Sequence, residues 1–151
     1  MISKRDVMIL AQLRKNARAS VAEISRSTKI PDANVFKRLK VLENEVIKNY
    51  VTIIDVSLLG YCIKIFMLIK AGNSKNELQD FLLKANSVNT MYRINNGFDY
   101  SAYCIFKNIP ELYSFFEKIN AFDIKGKEEH YILEEVKVED FLTRKTDLRM
   151  F

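Results

Sequence analysis

The stretch from Ser20 to Asp32 constrains this chain more than any other. Ser20 and Glu23 stand three apart, the spacing at which a serine hydroxyl caps a helix and a glutamate reaches back to the cap's own N–H. Ser27-Thr28-Lys29 breaks that helix, Pro31 cannot lie inside the next, and Asp32 is a good cap or first-turn acid. Only a very short helix fits, with Val21, Ile24 and Ala22 inward. Before it, Ser3 with Asp6 opens another helix whose stripe is Val7, Ile9, Leu10 and Leu13, and Asn16 is expected to stop it in a left-handed conformation. After it, Val35, Leu39 and Leu42 face inward from a third helix over about 32–44. Three helices, the second very short and tightly linked to the third, are the helix-turn-helix arrangement. The β-branched run from Val46 to Ile54 then reads as a strand, either a wing or the lead into the next domain.

Charge follows the same division. Residues 1–50 hold 11 Lys and Arg against 5 Asp and Glu, a balance of +6, while residues 51–151 hold 13 against 14, a balance of −1. A basic third beside a neutral remainder has the look of an electrostatic footprint for a polyanion. A merely solvated charged surface would give the same count, so charge alone does not decide. Cys62 and Cys104 sit singly in apolar runs and His130 is the one histidine, so a metal site lacks ligands and reduced thiols are expected. No cofactor is expected. The N-terminus mixes charges with apolar residues, unlike a signal peptide, and the apolar runs fall far short of a membrane span. A cytoplasmic protein without a membrane partner is the expectation.

From Tyr61 the periodicity changes. Residues 62–70 form an apolar strand closed by Ala71-Gly72, and Ser74 with Glu77 makes a third capping box before Leu78, Phe81, Leu82 and Ala85. Residues 88–95 and 99–107 read as strands joined at the turn signal Asn96-Gly97. Asn108, Pro110 and Glu111 start a helix with Leu112, Phe115, Phe116 and Ile119 inward, and 128–138 reads as the last strand. The order is β-α-β-β-α-β, a ferredoxin-like domain with helices on one face of an antiparallel sheet. The fold class is therefore α+β. The expected division is a winged helix-turn-helix domain over residues 1–50, a linker strand over 51–61 and a second domain over 62–151 that pairs subunits. Whichever way the first strand points, either the Ile63-Ile65-Met67-Ile69 set or Phe66-Leu68 lies away from the helices. An apolar open face implies a partner, here a second copy.

With its inward residues assigned, the third helix turns Ala33, Asn34, Phe36, Lys37 and Lys40 outward, and Arg38 lies at the boundary. Small or amide side chains near the start of a recognition helix can approach base edges, and cations further along meet phosphate. Asn34 can pair with adenine, Lys37 with guanine or phosphate, and Phe36 can touch a thymine methyl. Arg18 and Lys48 lie in flanking turns where phosphates would run. The plainer alternative is a solvated face with Phe36 in the core.

Several stretches, taken in order, resemble the leucine-responsive regulator/AsnC (feast/famine) family of prokaryotic transcription regulators. They are Asp6-x-x-Ile9-Leu10-x-x-Leu13, Asn16-Ala17-Arg18-x-Ser20-x-x-Glu23-Ile24 and Val35-x-x-Arg38-x-x-x-Leu42-Glu43, then Val46-Ile47-x-x-Tyr50, Leu59-Gly60-Tyr61 and Gly97-Phe98-Asp99-Tyr100. Two departures stand out: Asn44-Glu45-Val46 lacks the family's glycine before Val-Ile, and Pro31-Asp32 replaces its serine at the opening of the third helix. The resemblance implies a DNA-binding transcription regulator acting on double-stranded DNA. It also implies a homodimer or higher homo-oligomer, and an amino-acid effector bound between subunits near Gly97, Phe98, Asp99 and Tyr100. On residue chemistry alone, Gly97 can equally be a positive-φ turn glycine and Asp99 a carboxylate that holds nearby backbone. Two rival readings stay open. Siroheme decarboxylases share the two-domain plan, though one histidine and one arginine (Arg93) between Lys40 and Glu139 offer little for that chemistry. A regulator with no small-molecule effector is the other.

Overall fold

The computed structural model describes residues 2–144, which divide into two compact units, 2–53 with 136–144, and 54–135. The first holds α1 (Lys4–Lys15), α2 (Val21–Thr28) and α3 (Asp32–Glu45). Both expected capping boxes close. The Asp6 N–H donates to Ser3 Oγ at 3.3 Å while the Ser3 N–H donates to the Asp6 carboxylate at 2.8 Å, and Ser20 with Glu23 does the same at 3.3 and 2.7 Å. Each such cap is worth about 1 kcal/mol. Ile9, Leu13, Ile24, Ile30, Val35 and Leu42 form the core of the three helices.

Local details differ from expectation at three points. Asn16 is extended (φ −148°), and its side-chain oxygen instead accepts from the Arg18 N–H at 3.0 Å. The left-handed residue is Lys29 (φ 59°), which ends α2 and lets Ile30 drop into the core. Ala22 is exposed, because on so short a helix Ile24 and Thr28 already fill the inward side.

Among the described residues, 46–54 joins no sheet, contrary to the expected strand. β-Branched residues favour extension, but a strand also needs a neighbour for its N–H and C=O groups. Val51 and Ile53 are 72% and 65% exposed. The tail 136–144 also departs from the expected division, lying in the helical unit instead of the second domain. The Arg14 guanidinium donates to the Glu139 and Phe141 carbonyls at 2.8 and 3.1 Å and pairs with the Glu139 carboxylate at 2.8 Å.

In the second unit a 3-10 turn (Val56–Leu59) precedes β1 (Ile63–Ala71), α4 (Lys75–Lys84), β2 (Val88–Arg93), β3 (Tyr100–Phe106), α5 (Ile109–Asn120) and β4 (Ile124–Tyr131). The sheet is antiparallel in the order β2-β3-β1-β4, the ferredoxin-like arrangement. Ile65, Met67 and Ile69 of β1 and Tyr100, Ala102, Cys104 and Phe106 of β3 face α4 and α5, meeting Leu78, Leu82, Leu112, Phe115, Phe116 and Ile119. Burial pushes the Cys104 thiol up to about 12, whereas Cys62 is exposed. The opposite face carries Phe66 and Leu68, and the register sets Tyr103 and His130 on either side of Phe66. This resolves which apolar set of the first strand lies away from the helices.

The last strand lies several residues earlier than expected. Ile124–Tyr131 is an edge strand rich in charge, and its helix-side Lys127 sits 4.2 Å over the Phe116 ring instead of contributing an apolar side chain. The apolar residues beyond it, Leu133, Val136 and Val138, are exposed. Ser74 does not cap α4 through its side chain; its hydroxyl accepts from the Asp123 N–H at 2.8 Å.

Candidate functional site

The outward side of α3 is built from its inward one. Val35 and Leu42 are fully buried, which turns Ala33, Asn34, Phe36, Lys37 and Lys40 to solvent. Phe36 is 52% exposed, so it is not a core residue. The Lys40 ammonium lies 4.5 Å from the Phe36 ring centroid, a cation–π pair one helical turn long. Neither Lys37 nor Lys40 forms an ion pair among the described residues. Pro31 opens α3 without a side-chain cap; its carbonyl accepts from the Asn34 and Val35 N–H groups at 2.9 and 3.0 Å. α3 ends at Val46 (φ −126°) with no left-handed residue, consistent with the missing glycine.

Arg38 has a different task from its neighbours. Its guanidinium donates two hydrogen bonds, at 2.6 and 2.7 Å, to the Asp6 carboxylate, which has no exposed side-chain surface. The guanidinium, together with Ser3, holds the Asp6 carboxyl down at about 2. Arg38 thus ties α3 to α1 and its charge is spent inside the unit. Arg18 and Lys48 are exposed in the turns on either side, as the sequence suggested. Lys4 and Arg5 escaped sequence reasoning; they share a groove with Asn34 and Lys37, and that proximity depends on helix packing rather than spacing.

The turn between β2 and β3 has Asn96 at φ 63° and Gly97 at φ 100°, consecutive positive values that only glycine and asparagine adopt readily. Asp99 is bound on both carboxylate oxygens: one accepts from the Ala71 N–H at 2.9 Å and the other from the Lys75 ammonium. That ammonium, first, and the Ala71 N–H hold its carboxyl below the usual range. Tyr100, read as an effector residue, is 1% exposed and packs in the core, its hydroxyl donating to the Gln79 side chain at 3.0 Å. Phe98 is half-buried and Gly97 exposed beside it. The turn is therefore a tight structural element, and in this structure the Asp99 carboxylate already holds an ammonium.

Comparison with known proteins narrows the reading. A family model described as winged helix-turn-helix DNA-binding matches residues 2–45. Among solved structures, LrpC of B. subtilis superposes with a TM-score of 0.84 at 21% identity, covering 91% of this chain and 98% of that one. A transcriptional regulator from Neisseria meningitidis, solved as its L-Met complex, gives 0.82 at 19%, covering 91% and 94%. These likenesses establish the fold. The HTH-type transcriptional regulator FL11 of Pyrococcus abyssi is 30% identical over 118 residues, 77% of this chain and 78% of its own. The chain belongs to the leucine-responsive regulator/AsnC family. Within this family of DNA-binding transcription regulators, α2 and α3 are the helix-turn-helix and the ferredoxin-like unit is the second domain. No helix among the described residues is long and apolar enough to cross a membrane.

Proposed function

We propose that this regulator reads double-stranded DNA with α3, acts as a homodimer, and is modulated by an amino acid bound near the turn at Gly97. The observation that carries the DNA reading is the outward side of α3, where Asn34, Phe36, Lys37 and Lys40 are all exposed and the two lysines form no ion pair among the described residues. Asn34 sits in the first turn, where side chains meet base edges, and Lys40 sits where phosphate contacts follow. Arg18 and Lys48 add positive charge in the flanking turns. Arg38 supports the helix from behind.

The apolar centre of the open sheet face, Phe66 with Leu68 and Tyr103, supports pairing of two copies there. An amino-acid effector is supported by likeness to the Neisseria regulator, which was solved with L-Met. The curated relatives are named as transcriptional regulators, which favours regulation over a siroheme-decarboxylase-like activity. The test is selection of bound fragments from genomic DNA, followed by affinity measurement of wild type and Asn34→Ala on the selected duplex. Discrimination that relaxes at one position per half-site upholds the reading. Equal, very weak and salt-insensitive binding by both proteins overturns it.

A further inference from the structure

An open groove of about 670 Å³ runs beside α3, and two helices wall it. Lys4 and Arg5 come from the first turn of α1, Asn34 and Lys37 from α3, and Ile30 lines it as well. No aspartate or glutamate among the described residues lines it. Asp6, the acid that follows Arg5, has no exposed side-chain surface and is neutralised by Arg38. Lys4, Arg5 and Lys37 are exposed, and none forms an ion pair among the described residues. Three unmatched cations about one groove repel each other, and their summed field attracts a polyanion over roughly the 8–10 Å of a Debye length.

The groove is open and continuous with the side of α3 that carries Asn34, which suits a linear anion better than an enclosed small one. We propose that Lys4 and Arg5 form a sequence-independent backbone clamp, holding phosphates of the duplex alongside the bases that α3 reads. This rests on the reading of α3 as the DNA-facing helix. The clamp is rigid because Asp6, next in the chain, is fastened to Arg38 of α3 by two hydrogen bonds. Phosphates gripped by Lys4 and Arg5 are thereby held in fixed register with Asn34. Base contacts specify and phosphate contacts position, and this pair supplies positioning from outside the helix-turn-helix.

The experiment is a salt titration of the full chain on a mixed-sequence duplex and on the duplex recovered by selection. It compares wild type, Lys4→Ala/Arg5→Ala, Lys4→Arg/Arg5→Lys, and Asn34→Ala. Both clamp positions are exposed, so unchanged thermal melting is expected and is checked first. The alanine pair should lower the salt slope by about two units and weaken both duplexes by the same factor, with the charge-conserving pair restoring the slope. Wild-type slope and affinity in the alanine pair, with Asn34→Ala still impaired on the selected duplex, would remove the clamp and leave α3 as the reader. A loss confined to the selected duplex would also overturn a sequence-independent role. If Asn34→Ala too binds like wild type, the reading of α3 falls along with the clamp.

Discussion

Arg38 closes a two-point ion pair on Asp6 across 32 positions of sequence, at 2.6 and 2.7 Å, with the Asp6 side chain wholly enclosed and the Arg38 side chain 37% exposed. Removing the guanidinium leaves a buried carboxylate without its partner. Arg38→Ala should therefore lower the midpoint of unfolding of the helical unit, with Arg38→Lys recovering only part because a point charge cannot reproduce the fork. The pH dependence has a definite sign. Asp6 titrates at about 2 in the folded chain against an ordinary 3.8. A lowered native value gives a contribution fully present above the ordinary value and lost as pH falls through the native one. Denaturant unfolding of wild type and Arg38→Ala should thus differ most above pH 3.8 and converge as pH falls toward 2.

On DNA, Asn34 and Lys40 should fail in different ways. Asn34→Ala should cost roughly 1–3 kcal/mol on the preferred site and little on random duplex. Lys40→Ala should weaken every duplex alike and reduce the salt slope by about one unit. Anisotropy titrations at several salt concentrations separate the two. A sequence-selective loss in Lys40→Ala would move base reading onto the Phe36–Lys40 pair.

Asp99→Ala should remove the partners of the Ala71 N–H and the Lys75 ammonium together. A loss of about 1–3 kcal/mol is expected from those two bonds, so the variant melts lower even without ligand. If an amino acid binds near this turn, L-methionine as the probe should raise the melting temperature of wild type but not of Asp99→Ala. An equal rise in both places the effector elsewhere.

Light scattering at micromolar concentration should give at least a dimer for the wild-type chain. Phe66→Glu puts a charge at the centre of the open sheet face and should shift the population to monomer while leaving the core beneath, Ile65 and Met67, in place. A dimer that survives this change pairs through another surface.

What could be read from sequence was what depends on near neighbours. The boxes at Ser3 and Ser20, the start of α5 at Asn108 and the turn at Asn96-Gly97 each rest on residues within four positions, where local chemistry is decisive. The misplacements share a different cause. Residues 124–131 pair with β1 despite their charge because the register across Ile65 to Ala71 selects them, whereas Val46 to Ile54 has strand-like side chains and no strand partner among the described residues. At the candidate site, the outward set on α3 followed from helical spacing. Spacing could not reveal that Arg38 is committed to Asp6, that Lys4 and Arg5 wall the same groove as Asn34, or that Tyr100 points into the core.

The enclosed sulfur of Cys104 gives the second domain a built-in chemical clock. Alkylating reagents attack thiolate, and this thiol, fully buried on β3 and pushed up to about 12, supplies almost none while the sheet and helices stay packed. In a Cys62→Ser chain, every alkylation event at Cys104 would therefore record one excursion in which the layer between β3 and the helices comes apart. At reagent concentrations where alkylation outpaces reclosing, the rate of modification, followed by mass, would give the frequency of those excursions with no label added to the surface. An effector that tightens this domain would slow that rate, whatever its effect on DNA.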